Sequence, residues 1–134
     1  MIATLVVTLG NTAETLVQAA SRIMSKEVPV SVYCLDWDEA VDQAKSSLAD
    51  RIKAVDQGQG VLVLTDIIGG TPHNISLPYA KPGHVEIISG VNLPMVVKAM
   101  SLPEKMTLSE AAQAVCRQTR QTIVVSPNRK DDAA

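Results

Sequence analysis

The chain contains no phenylalanine, one tryptophan and two tyrosines, so aromatic packing cannot supply its core. Valine, isoleucine, leucine, alanine and methionine must do so instead. Basic excess is also missing: twelve Lys and Arg against fourteen Asp and Glu give a net charge of -2. That balance offers no electrostatic case for nucleic acid or for an acidic lipid surface. No apolar run approaches the roughly 20 residues that a membrane-spanning helix needs, and the N-terminus lacks the basic region of a signal peptide. Two cysteines, Cys34 and Cys116, stand far apart without metal-ligand spacing, which reads as a pair of buried free thiols in a reducing cytoplasm. What remains is globular: 134 residues, 46% hydrophobic and 19% charged, enough for one α/β domain and too few for two.

The most informative stretch is Val61-Leu62-Val63-Leu64-Thr65-Asp66-Ile67-Ile68-Gly69-Gly70-Thr71-Pro72-His73-Asn74. A continuous apolar, β-branched run suits a strand buried on both faces. It stops at an acid, crosses two glycines and enters a helix, with Thr71 as the expected cap and Pro72 at the first helical position. A helix start of this kind presents backbone N–H groups that favour anions. Gly-Gly-Thr-Pro is not a phosphate-binding P-loop, because no lysine follows at the required spacing.

In chain order, Ile2 to Thr8 reads as a first strand. Asn11 and Glu14 have the spacing of a capping box for a helix over 12–25. Val28 to Leu35 reads as a second strand, with Pro29 at its start or at a sheet edge. Asp36 and Glu39 open a second helix that Gly58 ends. Pro78 disturbs a short third helix. His84 to Ser89 is the fourth strand, Gly90-Val91-Asn92-Leu93-Pro94 turns into a short helix through about Met100, and Thr107 with Glu110 forms another capping box. Thr122 to Ser126 is a last short strand, and 127–134 is a polar, loose tail.

Alternating strands and helices predict a doubly wound, mainly parallel α/β sheet with helices on both faces. If its order is 2-1-3-4, the order expected here, the ligand crevice lies beyond the carboxyl ends of strands one and three, where the order reverses. The Thr8-Leu9-Gly10-Asn11 and Asp66–Asn74 loops meet there. Of the two histidines, His73 lies near this crevice and reads mainly as a solvent-facing helix residue. His84 falls at the opposite end of the sheet and reads as structural. No Ser-His-Asp set, metal cluster or cofactor motif can be assembled, so neither a metal nor a cofactor is expected.

The segments MIATLVVTLG, GVLVLTDIIGGTPHNIS and HVEIISGVNLPM, in this order, resemble the enzyme IIA component of the mannose family of the sugar phosphotransferase system. The resemblance covers nearly the whole chain. It implies a domain over 1–126, four parallel strands, and a short antiparallel C-terminal fifth strand, here Thr122 to Ser126, exchanged within a homodimer. It implies a cytoplasmic phosphocarrier, without direct membrane insertion but able to join a permease complex at the membrane. The family relays a phosphoryl group from phosphorylated HPr to enzyme IIB during sugar uptake. The family histidine that accepts the group corresponds to Leu9, the carboxylate that orients it to Asp66, and the phosphoryl-binding positions to Thr71, Gly70 and Gly10.

Leucine has no lone pair and cannot form a phosphoramidate. As written, the chain is therefore expected not to accept phosphate at Leu9, and whether it acts as an enzyme stays open. Two origins fit: a native leucine, or one introduced to block transfer. A non-catalytic regulatory or partner-binding domain derived from the same fold is the alternative. A receiver domain phosphorylated on Asp66 would also need an acidic pair after strand one to hold Mg²⁺. Leu9-Gly10-Asn11-Thr12 supplies none.

Overall fold

The computed structural model describes residues 1–25 and 30–127. Four strands, β1 (Ala3–Leu9), β2 (Ser31–Leu35), β3 (Val61–Thr65) and β4 (Val85–Ser89), form one sheet. All three pairings are parallel, as the alternation of elements predicts, and the order is the expected β2-β1-β3-β4. Five α-helices connect or follow the strands: α1 (Thr12–Met24), α2 (Val41–Val55), α3 (Thr71–Ser76), α4 (Leu93–Ala99) and α5 (Leu108–Arg120).

The continuous apolar runs at β1 and β3 mean that each strand must be covered on both faces. Alternate residues of β3 accordingly enter two cores. Leu62 and Leu64 pack with Val6 and Ile88 under α1, α4 and α5, through Ala20, Val96 and Val115 among others. Val61 and Val63 pack with Leu5 and Val7 under α2 and α3, through Leu48, Ile52 and Ile75. With no phenylalanine to bridge gaps, small alanines such as Ala13, Ala20, Ala44 and Ala111 let helices approach the sheet closely. Gly60 serves the same closeness at the start of β3. Its φ is +92°, and a Cβ there would lie 2.7 Å from Leu108 Cδ2 and 2.9 Å from the His84 carbonyl oxygen.

Several local expectations are corrected. Asn11 is the N-cap of α1, but its side chain makes no cap hydrogen bond. Thr8 Oγ1 instead accepts from the Ala13 N–H at 2.8 Å, so the cap comes from the strand end. Asp36 and Glu39 do not open α2, which starts at Val41 behind Ala40. Glu39 accepts from the Asp36 N–H and from the Tyr33 hydroxyl, and so folds the preceding loop. At α3, Gly70 is the N-cap, Thr71 is the first helical residue and no side chain caps the start. Pro78 lies in the 3-10 turn Leu77–Tyr79 after α3, where it removes no α-helical hydrogen bond. The strand expected from Val28 begins at Ser31, and Val28 and Pro29 lie outside the described residues. Strand four starts at Val85, after His84.

The expected fifth strand is not present: 122–126 forms a turn, irregular chain and a bend. Among the described residues no strand pairs with it, and Ile123, Val124 and Val125 are exposed. Cys34 and Cys116 are free thiols, half-buried rather than buried.

The Thr107–Glu110 capping box forms as predicted, with reciprocal hydrogen bonds of 3.2 and 3.0 Å. The Thr107 N–H, then its hydroxyl, holds the Glu110 carboxyl below the usual carboxylate range. A depressed folded-state pKa contributes stability above the unfolded pKa that is lost as pH falls through the folded value. Thr107→Ala is expected to lower unfolding stability by about 1 kcal/mol in urea titrations at neutral pH. The loss should shrink in acid, once Glu110 is protonated.

Candidate functional site

The order β2-β1-β3-β4 reverses between β1 and β3, so the loops after these strands diverge and leave a crevice at their carboxyl ends. β1 ends on Leu9 itself, one residue further than its pattern indicates. Gly10 then turns the chain with φ +63°, and its N–H donates to the Leu35 carbonyl at 2.8 Å. This ties the first loop to the end of β2. Trp37, from the loop after β2, stands over Gly10: a Cβ at position 10 would lie 3.1 Å from the indole nitrogen.

The crevice is closed on its other side by Asp66. One carboxylate oxygen accepts from the Leu9 N–H at 3.0 Å, and the other accepts from the Ile67 N–H at 2.8 Å. Asp66 thus has partners for both oxygens and staples the β1–α1 loop to the β3–α3 loop. The main chain of residue 9 supplies the donor that a side chain at that position lacks.

The two-glycine turn is held internally. Gly70 donates to the Ile67 carbonyl at 3.0 Å, and the Ile67 side chain folds against Gly70, where a Cβ would come within 2.7 Å. Gly69 has φ +82° and donates to His73 Nδ1 at 3.0 Å, while Asn74 Nδ2 donates to the Gly69 carbonyl at 3.0 Å. His73 therefore faces back into its own loop and is not simply turned to solvent. Accepting at Nδ1 leaves its neutral ring protonated at Nε2. That nitrogen then has no free lone pair for nucleophilic attack. His84 lies at the far end of the sheet, beside Gly60 and Gly83.

Of the residues singled out from the sequence, Gly10, Asp66 and Gly70 lie in the two loops that border the crevice, with Leu9 at the end of β1 and Thr71 at the start of α3 beside them. The N–H groups of Gly10 and Gly70 are engaged within the protein, whereas the start of α3 at Thr71 has no side-chain cap. Trp37 and Ile67 were not singled out. Their exposure, 75% and 61%, is a tertiary property that a hydrophobic letter in a sequence does not disclose. Among the described residues, no cluster of His, Cys, Asp and Glu could hold a metal, and no helix is long and apolar enough to cross a membrane.

The fold and crevice define a doubly wound α/β protein with a small site at its topological switch point. The family model of the phosphotransferase-system fructose IIA component, EIIA-man, matches residues 3–116, and the chain belongs to this family. YadI of Escherichia coli (strain K12), named for a phosphotransferase enzyme IIA component, is 39% identical over 69 residues, covering 51% of this chain and 47% of YadI. The mannose-specific EIIAB component of the same strain is 30% identical over 100 residues, covering 74% of this chain and 31% of that protein. The chain spans between about a third and three fifths of the length of the curated relatives it matches. In structure, it is similar to phosphotransferase component EIIA from Streptococcus agalactiae, with a TM-score of 0.81, 22% identity and coverage of 93% and 97% of the two chains.

The Asp66 staple can be tested directly. Asp66→Ala leaves the Leu9 and Ile67 N–H groups without their acceptor, and is expected to cost about 1–3 kcal/mol in denaturant unfolding. Amide exchange at Leu9 should accelerate in the same variant while that of Val6 stays slow.

Proposed function

We propose that this chain is an enzyme IIA domain, spanning 1–126, that keeps the crevice of a phosphoryl carrier but does not accept a phosphoryl group at Leu9. The observation carrying this reading is the Asp66 carboxylate seated 3.0 Å from the main chain of Leu9, at the switch point of an EIIA-man family fold. A histidine at position 9 would bring an imidazole beside that carboxylate. One ring nitrogen could then attack phosphorus while the other is held by Asp66. The P–N bond on phosphorylated HPr breaks as a new one forms at residue 9, and the group passes on to enzyme IIB. Thr71, at the uncapped start of α3, would take the phosphoryl oxygens, and Gly10 and Gly70 would supply close approach rather than free donors. Leucine supplies no lone pair, so the relay stops before its first step.

The expected partners are HPr and enzyme IIB of a sugar phosphotransferase system, in the cytoplasm or at a permease complex. The competing reading is a regulatory domain of the same fold that reports by contact alone, and the leucine at position 9 is the observation favouring it.

Labelling separates the two readings. With phosphoenolpyruvate, enzyme I and the cognate HPr, the chain as written should take up no label. Leu9→His should become labelled, and adding Asp66→Ala to that variant should reduce labelling about tenfold or more. An unlabelled Leu9→His variant that is folded would refute the assignment of residue 9.

Pairing of two copies belongs to the same proposal. β4 is an edge strand, and a groove of about 530 Å³ runs beside it, lined by Ile68, Leu77, Val85, Ile87 and Cys116 among others. Unpaired edges favour strand addition. Ile123, Val124 and Val125 are exposed nearby in sequence to α5, and the buried Thr119 hydroxyl has no partner among the described residues. An antiparallel Thr122–Ser126 strand laid on β4 of a second copy would cover both surfaces. Val124→Lys is expected to shift the dimer to monomer in sedimentation velocity at micromolar concentration.

A further inference from the structure

The turn from Ile67 to Asn74 has two sides. One borders the crevice, and the other forms a wall of the groove beside β4. Ile68 and His73 line that groove together with Leu77, Val85, Ile87 and Cys116. Ile68 is three-quarters exposed. An aliphatic side chain so placed gains free energy from whatever covers the groove.

A short run of hydrogen bonds joins the two sides. Gly69 donates to His73 Nδ1 at 3.0 Å, and Asn74 Nδ2 holds the Gly69 carbonyl at 3.0 Å. Gly70 donates to the Ile67 carbonyl at 3.0 Å. The Ile67 N–H meets one Asp66 oxygen at 2.8 Å, and the Leu9 N–H meets the other at 3.0 Å. The bonds at Ile67, Gly69 and Asn74 are open to solvent. Loop bonds of this kind open and close far more readily than those of the buried strands.

The edge of β4 limits what can fill the groove. Val85 turns its N–H and C=O outward, and Lys81 already pairs with both at 2.9 Å. Main-chain groups alternate along a strand, so Ile87 and Ser89 present the edge that is left. That room suits a segment of a few residues. Thr122–Ser126 is five residues long, and its Ile123, Val124 and Val125 are exposed.

We infer that the groove and the crevice are coupled through the Ile67–Asn74 turn: seating the Thr122–Ser126 segment of a second copy on β4 fixes Ile68 and His73, and through them the joint between Asp66 and Leu9. The inference rests on the reading that two copies pair through this segment. The seated strand covers Ile68 and confines the His73 ring from its groove side. With the ring confined, the Gly69 N–H keeps its acceptor and the turn opens less often. Asp66 then holds the Leu9 main chain for longer. No change of shape is needed, because stiffening one end of a run of loop contacts lowers the opening of the other. The crevice is accordingly firm in the pair and loose in the single chain. By reciprocity, whatever stiffens the crevice also tightens the pair.

Hydrogen exchange tests this on the chain as written. By NMR, the protein at a concentration where sedimentation velocity shows pairing is compared with the Val124→Lys monomer. The Leu9 and Gly69 amides should exchange at least fivefold more slowly in the pair. The Gly58 amide, bound to Asp56 at the opposite end of the sheet, should exchange equally in both. His73→Ala, measured at a concentration that saturates its own pairing, should lose the slowing at Leu9. His73→Asn, whose Oδ1 can accept in place of Nδ1, should keep it. Equal exchange at Leu9 and Gly69 in pair and monomer overturns the inference, and so does a slowing at Leu9 that survives His73→Ala or is lost in His73→Asn. If sedimentation shows no pairing at any concentration, the inference falls together with the pairing reading. Labelling of Leu9→His by HPr then decides the enzyme IIA reading by itself.

Discussion

The arrangement depends on burying β1 and β3 on both faces. A strand whose two faces are both apolar has no stable position at the surface of a sheet open to water. It must be flanked by other strands and covered by helices above and below. Val6, Leu62 and Leu64 on one side, and Leu5, Val7, Val61 and Val63 on the other, impose that requirement. Right-handed crossovers then leave few ways to connect the elements. The order β2-β1-β3-β4 puts the two most buried strands side by side and sends their following helices to opposite faces. The crevice is the geometric residue of that divergence.

Because the same two strands create the crevice, its residues are anchored at the ends of deeply buried strands. Leu9 is the last residue of β1, and Asp66 follows β3 directly. The Asp66 bridge between them fixes the separation of the loops without any contribution from a ligand. Gly10 and Gly70 keep the walls thin, and Trp37 and Ile67 fold against them. Both Asp66 oxygens and the N–H groups of Leu9, Gly10, Ile67, Gly69 and Gly70 are spent on bonds within the protein, so these loops hold their shape through their own contacts.

Much of this was legible in the sequence because burial is periodic. The largely apolar runs that became β1 and β3, and the helical spacing that became α1 and α5, indicated element type, and the crevice followed once the order 2-1-3-4 was assumed. Local hydrogen bonding was less legible. Asn11 and Glu14 have the spacing of a capping box, yet Thr8 reaches the helix first from a strand end that the spacing rule does not consider. Asp36 and Glu39 likewise have the right spacing, but Tyr33 draws Glu39 into a loop contact. Only Thr107 and Glu110 behave as their spacing suggests. The segment 122–126 has the composition of a strand, but a strand exists only where a partner lies beside it, and that is not a property of the segment.

The Asp66 bridge reaches the main-chain nitrogen of residue 9 and not its side chain. The tie between the two loops therefore persists whatever side chain stands at that position, while the half-buried Leu9 side chain itself packs against the core under α2 and α3. A change of side chain there alters what the crevice displays and a little of the packing beneath it, and leaves the joint between the loops in place.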